Sequence, residues 1–189
     1  MKALKLMIIV PFMAFFIQNA AANGQSAGLY LTLQDYMNHK LSYSASNDQI
    51  KVNGFLGGSK VLLVHNGEKQ VIAKSEVFGY RKDDKDFRLF NKAEYQILSS
   101  AGIIIYSKTS LVQQGKGPKP TELFYFSESA SSPILSLTIA NLESVYAKNQ
   151  KFMYAVESLF KSDSELSSYD AYNKQFKLAY LYTENTSNR

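Results

Sequence analysis

Residues 60–74 read KVLLVHNGEKQVIAK and contain the clearest strand signal in the chain. Two apolar runs, VLLV and VIA, lie on either side of the polar residues 65–70, which begin with the tetrapeptide HNGE. The pair Asn66-Gly67 tolerates the positive φ angles of a type I′ turn, which makes it a strong hairpin signal. We therefore predict an antiparallel hairpin here, with His65 opposite Glu68.

The chain around this hairpin continues in short segments rich in Val, Ile, Tyr and Phe, separated by turn-forming residues. Residues 82–86 (KDDKD) carry no apolar side chain and predict a solvated turn. Ala101-Gly102 predicts a chain reversal, and the Gly- and Pro-rich residues 113–120 predict the strongest break. The apolar segments predict β-strands at residues 29–31, 49–53, 77–81, 87–90, 95–98, 103–106 and 123–126.

Helical signals lie outside this strand-rich region. Thr32 and Asp35 predict a capped helical turn that ends at Asn38. After Ser132-Pro133 the apolar spacing becomes three to four residues, which is typical of amphipathic helices. The first of these helices begins after the cap residue Thr138 and carries Ile139, Leu142, Val145 and Tyr146; the second carries Phe152, Val156, Leu159 and Phe160.

A third helix is predicted from the capping pair Ser162 and Glu165. Asp170 and Lys174 would form a surface ion pair on it, and residues 183–189 are expected to fray. Its apolar face would consist of Leu166, Tyr169, Tyr172, Phe176 and Tyr180.

These signals together predict an α+β fold. An antiparallel β-rich part (residues 23–128), forming a sheet or an open barrel or roll, would pack against about three helices (residues 129–189). Such short helices are not stable alone, so their apolar faces need the sheet as a partner. We therefore expect the two parts to form one domain.

Residues 1–22 have the layout of a cleavable secretory signal. Two lysines precede the apolar residues 6–17, and the small residues Ala20 and Ala22 follow. The apolar run is shorter than the roughly 20 residues that a membrane-spanning helix needs. We expect cleavage before Asn23, export to the periplasm, cell surface or medium, and no transmembrane segment afterwards; the alternative is an uncleaved N-terminal anchor.

The chain contains no cysteine, which excludes disulfides, thiolate metal sites, a cysteine nucleophile and a lipid-modified N-terminal cysteine. The formal charge of +5 is spread along the chain and comes almost wholly from lysine. Nucleic-acid recognition favours clustered cations and the planar fork of arginine. We therefore expect no nucleic-acid partner.

Motifs for metal binding or nucleophilic catalysis are not recognisable in the sequence. His39 and His65 have no second ligand at the spacing of a metal site, and the acidic loop at residues 82–86 lacks the glycine and terminal glutamate of an EF-hand. Residues 57–60 (GGSK) match neither a nucleophile elbow nor a phosphate loop. We therefore predict no cofactor and no metal, and we assign no catalytic residue.

Tyr80, Arg81 and Arg88 form the local feature that most suggests a ligand site. If residues 82–86 form the loop, Tyr80 faces Arg88 across the hairpin and Arg81 faces Phe87. Arginine stacks on rings and binds carboxylates in a fork, which suits an anionic or carboxylate-bearing ligand. The alternative, which we favour, is a structural cross-strand pair. Most other rings fall at core spacings, which favours packing over a sugar-binding platform.

Two stretches resemble an uncharacterised family of exported proteins from Bacteroidota. They are residues 75–98, SEVFGYRKDDKDFRLFNKAEYQIL, and residues 158–177, SLFKSDSELSSYDAYNKQFK. The shared pattern is a GYR strand, a charged turn, an aromatic-Arg strand, a Tyr-containing strand and a C-terminal helix with F-K-S-D-x-x-L-x-x-Y-D. Residues 28–35 are similar to the start of that family. The resemblance implies export and an envelope setting, and it implies no activity, cofactor or functional residue.

We therefore expect an exported, non-enzymatic envelope or extracellular protein with a binding or structural role. Its partner would be another envelope protein or an anionic ligand. One alternative is a hydrolase of envelope or extracellular polymer, for which Glu76, Glu94 and Asp86 are the acid/base candidates near the sheet. Another is a docking subunit that binds an envelope protein through its helical part.

Overall fold

The computed structural model describes residues 27–44, 49–52, 58–65 and 67–186. The predicted leader and its cleavage position lie outside these residues. The strands are β1 (Ala27–Tyr30), β2 (Gln49–Val52), β3 (Lys60–His65), β4 (Glu68–Ala73), β5 (Gly79–Lys82), β6 (Lys85–Phe90), β7 (Ala93–Ser99), β8 (Ile104–Gln114), β9 (Gly117–Ser127), β10 (Leu135–Ser136), β11 (Tyr169–Asp170) and β12 (Gln175–Phe176). The helices are α1 (Leu33–Met37), α2 (Ile139–Tyr146), α3 (Gln150–Leu159) and α4 (Lys177–Thr186), with 3₁₀ turns at Lys74–Glu76 and Asp163–Ser167.

Seven strands form one antiparallel sheet in the order β1-β5-β6-β7-β8-β9-β10. A second sheet contains β2, β3 and β4, and a two-stranded ribbon contains β11 and β12. The sheets are open rather than closed into a barrel, and three helices follow the main strands. The predicted α+β fold is confirmed. In the part of the chain that the structure describes, no helix is both long enough and apolar enough to cross a membrane.

The hairpin predicted at residues 60–74 is confirmed. β3 pairs with β4 along its whole length, and the last pair is His65 with Glu68. Gly67 takes a φ of 82°, which suits the second central position of a type I′ turn. Asn66 lies outside the described residues.

The turn between β5 and β6 contains two residues rather than the five predicted. Asp83 and Asp84 take φ angles of 50° and 56°, as both central positions of a type I′ turn require. Aspartate tolerates this left-handed conformation better than most residues. Lys82 therefore pairs with Lys85, and the charged segment is mostly strand.

This shorter turn changes the register of the whole hairpin. Arg81 pairs with Asp86, Tyr80 with Phe87, and Gly79 with Arg88. The predicted pairs, Tyr80 with Arg88 and Arg81 with Phe87, are wrong. A slip of one residue moves a side chain to the other face of a sheet, so Tyr80 and Arg88 lie on opposite faces.

The break predicted at residues 113–120 is also wrong, because β8 and β9 form a continuous hairpin of 11-residue strands. Gly115 has a φ of 58° in the short turn between them. Pro118 and Pro120 lie in β9, before the two residues that pair with β10. Proline is tolerated on a strand edge because its missing N–H faces away from the ladder.

The caps predicted for α1 and α2 are confirmed. The Thr32 hydroxyl accepts a hydrogen bond from Asp35 N, and the Asp35 carboxylate accepts one from Thr32 N. Thr138 accepts from Asn141 N at the start of α2. Reciprocal side-chain caps satisfy the first amides of a helix, which explains why these starts could be predicted.

The third predicted helix is wrong between residues 162 and 176, which form a 3₁₀ turn and the β11–β12 ribbon. The Asp170 carboxylate accepts hydrogen bonds from Tyr172 N and Asn173 N, and Lys174 has a φ of 51°. Such an aspartate-centred turn competes with helix, and it replaces the predicted pair of Asp170 with Lys174. Helix α4 includes residues 183–186 of the end that was expected to fray, and residues 187–189 lie outside the described residues.

Several residues predicted for apolar helix faces are exposed instead. They are Leu159, Tyr169, Tyr172 and Tyr180. The Ser162 hydroxyl makes no cap bond, and the Glu165 carboxylate accepts from Lys161 N. Leu166 and Phe176 are buried as predicted.

Two apolar cores lie on one face of the large sheet, and a third cluster, which contains Tyr95, Tyr106 and Ile134, lies on the other. The first joins the small sheet to β1, β5 and β6 through Leu29, Ile50, Val61, Leu63, Val77, Tyr80 and Leu89. The second joins the helices to β8 and β9 through Ile105, Phe126, Leu142, Phe152, Val156 and Leu178, among others. Burial of these side chains is the main stabilising contribution.

Candidate functional site

A strip of the large sheet lies between the two cores. The register pairs Tyr80 with Phe87, Phe87 with Gln96, Gln96 with Ser107, and Ser107 with Phe124. Directly paired residues point to the same face of a sheet, so these five side chains share a face. Tyr80 belongs to the first core and Phe124 packs on the second. Gln96 and Ser107 therefore occupy the space between them.

A groove of about 590 Å³ lies on this strip. Its polar lining includes Glu94, which is two residues from Gln96, and Thr109, which pairs with Glu122. Phe87 lines the groove on the side of the first core. The residues that line the groove thus carry two carboxylates, an amide and three hydroxyls beside an aromatic ring.

The polar floor of the groove has few internal partners. Within the residues that the structure describes, the side chains of Gln96, Ser107, Thr109 and Glu122 make no hydrogen bond to another protein group. Ser107 is only 4% exposed as a whole residue, but it lines the groove. Its hydroxyl is not among the fully buried polar atoms that lack a partner, so it is open to the groove. This floor therefore has hydrogen-bonding capacity that a bound molecule can use.

Tyr80 positions the first carboxylate of the groove. Its hydroxyl donates a 2.7 Å hydrogen bond to Glu94 Oε2, and its ring stacks on Phe87 at a centroid distance of 4.7 Å. Burial, and then the hydrogen bond to Glu94, hold the pKa of Tyr80 well above its usual range. At neutral pH the phenol therefore keeps its proton and donates to the carboxylate.

Arg81, the second predicted site residue, lies on the opposite face from Tyr80. Its guanidinium contacts the Asp86 carboxylate at 3.2 Å, and the same carboxylate accepts a 2.8 Å hydrogen bond from the Tyr30 hydroxyl. Burial first, and Asp86 second, raise the pKa of Tyr30 to about 12. Arg81 is thus paired with Asp86 as its counterion, in a cluster that also contains Tyr30.

Arg88, the third predicted site residue, is only 5% exposed. It donates hydrogen bonds to the Tyr106 hydroxyl at 3.1 Å and to the Ser132 carbonyl at 2.9 Å. Its guanidinium also lies 5.5 Å from the Phe78 ring centroid and 5.2 Å from that of Phe90. These contacts fasten the segment between β9 and β10 to the sheet. The structure therefore does not bring the three predicted residues together, and a ligand-binding role for them stays a prediction.

The acid/base candidates from the sequence are also separated. Asp86 is engaged by Arg81 and Tyr30 on one face, Glu94 lies in the groove on the other, and Glu76 is exposed on a 3₁₀ turn. The carboxylate that does share the groove with Glu94 is Glu122. Sequence reasoning missed it because residues 113–120 were interpreted as a break. The signal for the hairpin was the glycine at position 115, which suits a short turn.

The two histidines do not form a site. His39 follows α1 with a φ of 50°. The His65 ring, at the end of β3, packs edge-to-face against the Tyr43 ring. In the described ranges no group of three or more His, Asp or Glu side chains could hold a metal ion.

No protein-family model, curated protein or solved structure matches this chain. The assignment of the groove therefore rests on its geometry and chemistry.

Proposed function

We propose that the protein is exported and acts as a non-enzymatic binding protein of the cell envelope or the extracellular space. Its groove holds a hydroxyl-rich ligand such as a stretch of polysaccharide. The observation that carries this proposal is the row of polar side chains without internal partners, which lies between two apolar cores. Binding sites of this kind combine apolar walls with a few polar groups that orient the ligand.

Each part of the groove has a role in this proposal. The carboxylates of Glu94 and Glu122 accept hydrogen bonds from hydroxyl groups, and Gln96 can both donate and accept. The Phe87 ring offers an apolar surface for the C–H face of a sugar. The groove is only partly enclosed, which leaves room for a ligand that extends beyond it.

Export is supported by the sequence of residues 1–22 and by the family resemblance of residues 75–98 and 158–177. N-terminal sequencing of the protein recovered from the envelope or the medium tests it. We expect the chain to begin at Asn23. A chain that retains Met1 would contradict cleavage.

Binding is tested by affinity electrophoresis of the protein in gels that contain one polysaccharide each, including neutral glucans and amino-sugar polymers. We expect at least one polysaccharide to retard the protein, and the variants Gln96→Ala and Thr109→Val to reduce the retardation. Gln70→Ala, on β4 and outside the groove, serves as the matched control. Loss of retardation in the control alone, or no retardation by any polysaccharide, would overturn the proposal.

A hydrolase acting on such a polymer is the second candidate, and the presence of Glu94 and Glu122 in one groove favours it. Glycoside hydrolysis uses two carboxyl groups, one as acid and one as base or nucleophile. Release of reducing ends from a polymer that binds would support this candidate. Glu94→Gln and Glu122→Gln would then each abolish turnover while the polymer still binds.

A further inference from the structure

The groove carries a net negative charge although the chain is basic, with a formal charge of +5. Glu94 and Glu122 both line it. Lys108 also contributes to the lining, but its Nζ lies 5.5 Å from the Tyr95 ring centroid. Tyr95 is adjacent to Gln96 in β7 and therefore points to the other face. The ammonium of Lys108 is thus directed away from the groove.

Lys74 is the other cation close to Glu94. It is 5% exposed, and its Nζ donates a 2.8 Å hydrogen bond to the Lys92 carbonyl. Burial lowers the pKa of Lys74, and Glu94 acts in the opposite direction. Lys74 does not line the groove, although its charge offsets part of the charge of Glu94.

The Glu94 carboxylate is held in place for a ligand. Tyr80 donates to Oε2, and Oε1 has no hydrogen bond within the described part of the chain. Glu122 lies across β8 from Glu94, because Glu122 pairs with Thr109 of that strand. Next to Glu122 is Thr109, and Ser107 lies in the neighbouring row of paired residues, between Gln96 and Phe124. Both hydroxyls line the groove and make no hydrogen bond to described protein groups, so both are available to a polar ligand.

We propose that the ligand of this groove is a polysaccharide of amino sugars whose free ammonium groups contact Glu94 and Glu122. This inference rests on the proposed binding function and names its ligand class. Gln96, Ser107 and Thr109 would bond the hydroxyl groups of the same chain, and Phe87 would pack against a sugar ring. This mixture of charged and neutral hydrogen-bonding groups favours an amino sugar over a lysine-rich peptide, which offers amines without a row of hydroxyls.

The test compares ligands with and without free amines, and with and without a sugar backbone. Titration calorimetry of the full-length gene product, purified as it is recovered from cells, uses chitosan hexamer and its N-acetylated counterpart. Cellohexaose and hexalysine are the neutral-sugar and peptide arms. We expect the amine form to bind at least about fivefold more tightly per contacting carboxylate than the acetylated form, with the difference shrinking in high salt.

Variants test the contribution of the Glu122 charge separately from that of the neutral side chains in the groove. Glu122→Gln should reduce the preference for the amine form by about fivefold, the contribution of one carboxylate, while the acetylated form binds as before. Glu143→Gln, exposed on α2, should leave both affinities unchanged. Equal affinity for the amine and acetylated forms would overturn the inference and leave the binding function standing. Tighter binding of hexalysine than of chitosan hexamer would overturn the choice of an amino sugar. Failure of every saccharide to bind would overturn the binding function itself.

Discussion

The Tyr80 hydroxyl donates a 2.7 Å hydrogen bond to Glu94 Oε2, and this bond links the first apolar core to the floor of the groove. Tyr80 is 4% exposed, so its ring position is determined by packing. The Glu94 carboxylate is held in position by its hydrogen bond to the Tyr80 hydroxyl. The position of Glu94 in the groove therefore depends on the packing of Tyr80 against the small sheet.

Replacing Tyr80 with Phe should keep the ring packing and remove this bond. Hydrogen bonds to charged groups contribute about 1.5–3 kcal/mol, and Glu94 is partly exposed, so we expect a loss near the lower end of that range in urea unfolding at pH 7. Tyr154→Phe is the control, because Tyr154 is 68% exposed. Equal stability of Tyr80→Phe and the parent would show that the bond does not contribute.

The Tyr146 hydroxyl gives the opposite expectation. Tyr146 is 5% exposed, and its hydroxyl has no hydrogen-bond partner among the described residues. A buried hydroxyl without a partner is unfavourable, so Tyr146→Phe should be as stable as the parent or more stable by up to about 1 kcal/mol.

Tyr106→Phe is the matched comparison for that variant. The Tyr106 hydroxyl accepts from Arg88 and shares a 2.8 Å hydrogen bond with Ser127. Its removal should cost about 2 kcal/mol in thermal or urea unfolding. A clear destabilisation by Tyr146→Phe would mean that its hydroxyl has a partner after all.

Gly79 should not tolerate a side chain. A Cβ atom there would lie 2.2 Å from the Phe87 carbonyl oxygen, and a backbone atom cannot move aside without disturbing the β5–β6 ladder. We expect Gly79→Ala to lower the free energy of unfolding by about 3 kcal/mol. Gly117→Ala, where no atom lies within 4 Å of the added Cβ, should change it by less than about 0.5 kcal/mol.

Arg88 and Arg81 should differ strongly in their effect on stability. Arg88→Met removes two hydrogen bonds from a buried site and leaves the Ser132 carbonyl without that donor, so we expect a loss of about 3 kcal/mol. The Arg81 side chain is 29% exposed in its ion pair with Asp86, so Arg81→Met should cost only about 1 kcal/mol. Equal losses would contradict the structural role assigned to Arg88.

Tyr30 should make the protein sensitive to alkali. Its pKa is raised to about 12 in the folded protein, whereas it is about 10 in an unfolded chain. Folding therefore favours the protonated phenol. Its contribution is fully present below pH 10 and is lost as the pH rises from about 10 to about 12, by about 1.4 kcal/mol per pH unit.

The variant Tyr30→Phe isolates this contribution. At pH 7 it should be less stable than the parent, because it lacks the hydrogen bond to Asp86. The difference in the free energy of unfolding should shrink between pH 10 and pH 12, because only the parent titrates there. A difference that stays constant over that interval would contradict the raised pKa of Tyr30.

The sequence alone determined the elements whose signals are local. The hairpin at residues 60–74, the caps at Thr32 and Thr138, and the α+β class all depend on residues a few positions apart. Asn-Gly turns and capping hydroxyls act on neighbouring backbone groups, so their effect can be predicted without knowing what packs on them.

Only the tertiary structure decided which side chains share the groove. The two-residue turn at Asp83 and Asp84 set Tyr80 and Arg88 on opposite faces. The hairpin that carries Pro118 and Pro120 placed Glu122 in the same groove as Glu94. Face and register change with a shift of a single residue. The groove lies between the first and second cores, which do not meet on this face of the sheet. Each core is assembled from residues that are distant along the chain.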